Sequence, residues 1–299
     1  MNSLAIRPLL ALLAAAALVS ACSPTSDSTS ASTKTSASAT TSESASATTD
    51  ACAKEALQTQ TPGKLTIATD KPVFPPWFVD DKPENGKGYE GAVAAAVAQK
   101  LGFTPDEVTW TRVPFNNVFK PTPKNWDFDI NEFSITEKRK QALDFSSPYY
   151  DVAQAVVTVK GTKAASATTL AGLKGLTIGA QVGTTSLDAI KSVIDPTKSP
   201  RVYNSNHDVV SALKNGQIDA LVTDLPTAFY MSAVQLSKGK IVGQLPSSGG
   251  ATEQFGLVLE KDSPLTTCVS EAVDALRADG TLTSLVDKWL SQGGAPVLK

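Results

Sequence analysis

Histidine occurs once in these 299 residues, at position 207, cysteine only three times, and aromatic residues make up 6%. That scarcity excludes several kinds of chemistry. Two cysteines in the body of the chain and one histidine fall short of the four ligands of a structural zinc site, so no metal is expected. No Gly-x-Ser-x-Gly, no phosphate loop and no His-Glu-x-x-His is present, so no nucleophile elbow and no cofactor is expected. His207 lies in the polar stretch Asn204-Ser205-Asn206-His207, which reads as a helix start rather than a catalytic base. A formal charge of −2 argues against nucleic acid or an anionic membrane surface as the main partner. The hydrophobic fraction, 41%, lies below the about 45–50% usual for globular chains, so part of the sequence does not join a core.

The part that stands apart is the start. Residues 1–21 carry Arg7, an apolar run over 9–19, and the small residues Ser20 and Ala21 before Cys22. This is the layout of a secretory signal, too short for a stable spanning helix. The ending Val19-Ser20-Ala21-Cys22 resembles a bacterial lipobox, which implies cleavage before Cys22 and lipidation of that residue; an ordinary secretion signal with an incidental cysteine is the alternative. The protein is expected on the outer face of the cell membrane, held by the lipid. Residues 22–50 are almost entirely Ser, Thr and Ala, with no Leu, Ile, Val or aromatic residue after Cys22, and cannot bury enough apolar surface to order themselves. As a random coil, about 28 such residues span roughly 30 Å, a stalk between membrane and body.

In the body, Cys52 and Cys268 remain once Cys22 carries lipid. Outside the cytoplasm they are candidates for a disulfide, with two independent thiols as the alternative. Short apolar strands alternate with amphipathic helices: strands over 65–69, 108–113, 128–135, 155–159, 176–178 and 218–222, and helices over 91–101, 187–194 and 207–214. Two closing helices follow, one opening at Ser263-Pro264 and one carrying Leu282, Leu285, Trp289 and Leu290 on one side. This alternation implies an α/β fold of mostly parallel sheets flanked by helices, and the length favours two lobes.

Five segments in order carry a resemblance. They are Ala68-Thr69-Asp70 through Phe74-Pro75-Pro76-Trp77-Phe78 to Gly88-Tyr89-Glu90, then Ser134-Ile135-Thr136-Glu137-Lys138-Arg139 with Asp144-Phe145-Ser146-Ser147-Pro148-Tyr149-Tyr150. Next come Leu173-Lys174-Gly175 to Gln181-Val182-Gly183-Thr184-Thr185, then Asn215-Gly216-Gln217-Ile218-Asp219-Ala220 with Asp224, and finally Asp279-Gly280-Thr281-Leu282 with Lys288-Trp289. From Gly63 to Trp289 the chain resembles the family 3 extracytoplasmic solute-binding proteins, the polar amino-acid receptors of ABC importers. The resemblance implies a two-lobed, type II periplasmic-binding-protein-like fold with two hinge strands. Lobe 1 would be 51–155 and 257–299, and lobe 2 would be 156–256. It also implies a monomer that hands its ligand to a membrane permease.

The residue types suit a free amino acid. Arg139 can grip both carboxylate oxygens through its fork, helped by Thr184 and Thr185 at a helix start; a solvated arginine and a plain threonine cap are the alternatives. Asp224, at the end of a buried strand, with Ser134 and the backbone near Asn131, would accept from the ammonium; capping the next helix is the alternative for Asp224. Phe74, Trp77 and Phe115 resemble the aromatic wall around the ligand side chain, although any of them can be ordinary core. Asp70 and Glu90 match family positions near that side chain. Glu132 stands where the family has a small residue, and either faces the pocket, meets the ammonium or points away. These acids lean the expectation towards an arginine- or lysine-like ligand. An enzyme resembling cyclohexadienyl dehydratase is the rival reading on the same fold.

Overall fold

In the computed structural model of the protein, residues 51–247, 250–290 and 293–299 are described. The expected signal segment 1–21, the lipidation position Cys22 and the linker to residue 50 lie outside them.

The chain runs β1 (Leu65–Thr69), α1 (Tyr89–Lys100), β2 (Val108–Arg112), α2 (Phe115–Val118), β3 (Phe128–Asp129), α3 (Glu137–Lys140) and β4 (Leu143–Phe145). A short β5 (Tyr150–Val152) leads into β6 (Gln154–Val159), β7 (Ile178–Gln181), α4 (Thr185–Ala189), β8 (Arg201–Tyr203), α5 (Asn206–Lys214), β9 (Ala220–Asp224), α6 (Leu225–Tyr230) and β10 (Gly239–Gln244). The chain returns through β11 (Glu253–Phe255) to β12 (Val258–Glu260), α7 (Thr266–Ala278) and α8 (Thr281–Trp289).

Two five-stranded sheets result, ordered β2-β1-β3-β12-β4 and β10-β6-β9-β7-β8, and β5 pairs with β11 in a two-stranded sheet of its own. The expected two-lobed α/β architecture is present. Each large sheet carries a single reversed strand, β12 in the first and β6 in the second. These are the strands that follow the two crossings between sheets. A chain that crosses directly, without a helical return, enters the next sheet from the opposite end and pairs antiparallel.

Both sheets are buried by residues whose spacing matches their elements. In β1, Leu65 and Ile67 point into the core that α1 covers with Val93, Ala94 and Val97, and that α7 covers with Val269, Ala272 and Val273. In the second lobe, Val156, Ile178, Ala180 and Val222 pack on one face of the sheet, and Val157, Val209, Leu213 and Leu221 on the other. Gly88 opens α1 at φ +91, and a Cβ there would lie 2.3 Å from the Trp77 carbonyl oxygen. The letters Gly86-x-Gly88-x-x-Gly91 spell a dinucleotide fingerprint, yet the run follows a loop rather than a strand and Gly88 is needed for its contact with Trp77.

Three details depart from the expectations. The strand expected over 128–135 ends at Asp129, because Glu132 takes a left-handed backbone, φ 52, that no strand continues through. Helix α7 begins at Thr266 rather than at Ser263-Pro264. The end of the chain, expected with lobe 1, packs on lobe 2. Leu298 is buried among Val156, Val242 and Leu245, and its N–H donates to the Gln244 carbonyl at 2.9 Å. Gly243 permits this, since a Cβ would meet the Pro296 oxygen at 2.7 Å.

Cys52 and Cys268 form a disulfide across a separation of 216 residues, pinning the segment before β1 to α7. Replacing both cysteines with serine should lower the unfolding free energy by about 2–5 kcal/mol in a urea titration. An unchanged midpoint would mean that the packing around α7 holds this end without the bond.

Candidate functional site

The parallel strands of both sheets end facing one cleft, and the loops after those ends supply its walls. Asp70 follows β1, Asn131 and Glu132 follow β3, Thr184 and Thr185 follow β7, and Asp224 closes β9. Open α/β sheets place ligands at the carboxyl ends of their strands for this reason. The cavity between the lobes measures about 280 Å³. Its lining includes Arg139, Thr184, Thr185, Asp224, Ser134, Asn131, Asp70, Phe74, Trp77, Phe115 and Glu132. Glu90 lies one layer behind: its side chain is fully buried and accepts from the Glu132 N–H at 2.6 Å and from the Tyr149 hydroxyl.

Arg139 is held from three sides. Thr136 caps α3 by accepting from the Arg139 N–H, which fixes the backbone at the start of the side chain. The guanidinium donates to the Ser134 carbonyl at 2.7 Å and, across the cleft, to the Gly183 carbonyl at 3.0 Å. Its face lies over Phe119, 4.9 Å from the ring centroid, and Phe115 stacks on Phe133 at 5.0 Å beside it. The cation is thus oriented by carbonyls and aromatic faces, with N–H groups left over from its five donors. Opposite it, Thr184 caps α4 by accepting from the Leu187 N–H, and Thr185 Oγ1 lies 3.1 Å from Ser134 Oγ.

The acids gather at the other end. Glu132 Oε2 accepts from Thr227 Oγ1 at 2.6 Å, and that hydroxyl accepts from Trp77 Nε1 at 2.7 Å. Asp224 Oδ1 accepts from Gln154 Nε2 at 2.6 Å, and the same amide nitrogen reaches Glu253 Oε2 at 3.1 Å. Burial, then repulsion from Glu90, raises the Glu132 carboxyl far above the ordinary range. Burial, then repulsion from Glu132 and Glu253, does the same to Asp224. Glu90 is raised chiefly by burial, and its second oxygen has no hydrogen-bond partner among the described residues. Asp70 is raised by burial as well, against hydrogen bonds that pull it down. Acidic groups thus outnumber basic ones in the lining, Asp70, Glu132 and Asp224 against Arg139 and Lys71, and burial keeps protons on the acids in the empty cleft. Among the described residues, no group of three His, Cys, Asp or Glu side chains is placed to hold a metal ion.

Sequence reasoning passed over Thr227, Tyr230, Gln154 and Glu253. Thr227 and Tyr230 follow Asp224 by three and six residues on a helix, so one face of α6 carries both to the cleft, where Tyr230 meets Phe74 at 6.3 Å between centroids. Gln154 and Glu253 sit where the chain crosses between sheets, a position that no local pattern marks. His207 stands exposed at the rim.

Residues 65–292 match the family described as bacterial extracellular solute-binding proteins, family 3. A probable histidine-binding protein of Neisseria gonorrhoeae is 26% identical over 255 residues, 84% of this chain and 90% of the relative. Among solved structures, an ancestral arginine-binding protein bound to arginine superposes with a TM-score of 0.63 at 33% identity, over 77% of this chain and 99% of that one. An ancestral amino acid-binding protein described as a precursor of cyclohexadienyl dehydratase superposes with a TM-score of 0.61 at 26% identity, over 76% and 95% of the two chains.

The acid cluster sets a pH dependence with a definite sign. A carboxyl free in the unfolded chain titrates near about 4.3, whereas Glu132 in the folded protein titrates at about 8. Between these values the folded chain holds protons that the unfolded chain has released, so stability falls as pH rises. The melting temperature of the ligand-free protein should decline from pH 5 to pH 8, and Glu132→Gln should flatten the decline. A wild-type profile that rises over this interval would contradict the assignment.

Proposed function

The chain belongs to the bacterial extracellular solute-binding proteins of family 3, and from that membership we propose that it captures a cationic amino acid between its lobes and presents it to an ABC permease. The observation that carries the cationic preference is the facing of Glu132 and Asp224, one from each lobe, across a cavity that holds one arginine. A zwitterion with a positive side chain matches that imbalance. Its carboxylate meets the remaining N–H groups of Arg139 and the start of α4 at Thr184 and Thr185. Its ammonium meets Asp224, Ser134 and the backbone near Asn131. The side chain lies along Phe74, Trp77 and Phe115 towards Asp70 and Glu132, with Glu90 setting the charge from behind.

Lobe 1 holds Arg139 and Ser134 while lobe 2 holds Thr184 and Asp224, so the ligand bonds to both and favours the closed form. The crossing strands β5 and β11 are the hinge. A lipid on Cys22 keeps the monomer at the outer face of the membrane, and the linker to residue 50 lets the body reach the permease. The relatives support the substrate class, since a histidine-binding and an arginine-binding protein are among them. The dehydratase alternative is kept by the neighbour named as its precursor; turnover of prephenate or arogenate by the purified protein would establish it in place of a pure receptor.

A thermal-shift panel of the twenty amino acids tests the proposal. Arginine or lysine at about 100 times the dissociation constant should add about 2.7 kcal/mol of stability, and glutamine less at equal concentration. No shift with any amino acid would sink the reading, and a larger shift with neutral ligands would sink the cationic preference. Arg139→Ala should cost roughly 2–5 kcal/mol of binding, measured by calorimetry; undiminished affinity would remove Arg139 from the role.

A further inference from the structure

One hydroxyl joins the lobes at the acidic end of the cleft. Trp77 and Glu132 belong to the first lobe, and Thr227 comes from α6 in the second. An indole N–H only donates, so Thr227 Oγ1 accepts from Trp77 Nε1 at 2.7 Å. Its single proton therefore goes to Glu132 Oε2, 2.6 Å away. This is the arrangement when Glu132 is ionised, as it would be beside a bound cation. The two lobe 1 partners are fixed by contacts of their own. The Trp77 ring, 3% exposed, packs against Tyr89, Tyr150 and Phe255. The backbone of Glu132 is tied to Glu90. Thr227 is itself only 7% exposed, so water does not readily replace it.

The bond has two consequences. It fixes Glu132 Oε2, in a carboxyl that also hydrogen-bonds with Asp224 and lines the cavity. It also exists only while the lobes are together, because donor and acceptors sit on opposite sides of the cleft. We propose that Thr227 is a positioning residue that aims the Glu132 carboxylate at the ligand side chain on lobe closure, and that selection of a cationic over a neutral side chain is made through it. The inference rests on the reading that the cleft binds a cationic amino acid.

The probes are arginine and citrulline, which share size and hydrogen-bonding shape and differ in charge. Thr227→Val keeps the volume and removes the hydroxyl. It should weaken arginine binding by roughly tenfold or more, as loss of a hydrogen bond to a charged group does, while citrulline affinity changes much less, so that the ratio between the two collapses. Thr227→Ser should restore the ratio. A merely structural role would lower both affinities together, and that result, or an unchanged ratio, would overturn the proposal. The Trp77 indole proton resonance of the ligand-free protein, assigned with Trp77→Phe, supplies a separate reading. It should shift in Thr227→Val and return in Thr227→Ser, and a resonance indifferent to both overturns the interlobe bond. A wild type that binds arginine no better than citrulline counts against the cationic reading instead, and the indole resonance then decides whether the bond exists.

Discussion

The cleft turns on an unfavourable interaction: Glu132 and Asp224, from opposite lobes, face each other where little water remains to screen them. Like charges a few ångströms apart in a partly buried site repel by several kcal/mol at an effective dielectric near 20, on the order of what a whole binding event yields. The protein answers with partial remedies. Thr227 donates to Glu132, Gln154 donates to Asp224, and both carboxyls are raised so far that protons stand in for missing countercharge. Arg139 is occupied at the other end of the cavity by the Ser134 and Gly183 carbonyls. Under the proposed function a bound cation would replace those remedies with direct pairing, tying occupancy to closure, since neither lobe alone provides both acids.

The fold makes this meeting possible by the way it crosses. Among the described residues β5 and β11 pair with each other and with no other strand, and the chain reverses direction in entering each large sheet through β6 and β12. The carboxyl ends of both parallel sets consequently look at one another, and every ligand-facing loop issues from such an end. Gln154 and Glu253, at the crossings themselves, hydrogen-bond to each other and to Asp224 and Ser134, so the hinge region and the floor of the cavity share one polar network. A rotation at the crossing changes those bonds at once. The last residues of the chain add a further link, since Leu298 is packed into the second lobe while α8 belongs to the first.

What could be read from sequence divides along physical lines. Arg139, Thr184 and Asp224 stood out through the family resemblance more than through local pattern, which suited a solvated arginine and plain caps equally well, and all three line the cavity. Phe74, Trp77 and Phe115 were legible as apolar positions, though not their partition between core and wall: Phe115 stacks on Phe133 and also lines the cavity. Glu90 matched a motif position, but its depth depends on how α1 packs under Tyr149, a tertiary fact with no local trace. The strand over 128–135 failed because its apolar letters continue past Asp129, while the backbone at Glu132 turns left-handed. Thr227 and the packing of Leu298 are long-range pairings, and a single sequence holds no signal for either.

Glu132 shows how specificity can change without a change of fold. Its backbone conformation favours glycine, so an acid there carries a strain of about 1–3 kcal/mol as well as a buried charge. Both costs fall on the folded protein in the absence of ligand, where a proton on the carboxyl lessens the second; under the proposed function a cationic side chain would let the carboxyl ionise and pair. A neutral ligand of the same shape would leave that cost in place. Under the proposed function, discrimination would arise less from what the cation gains than from what the empty and the wrongly filled cleft continue to bear. Each 1.4 kcal/mol of that difference is a factor of ten in selectivity. The strain and the selectivity are in this sense one property of one residue, expressed through the hydroxyl that holds it.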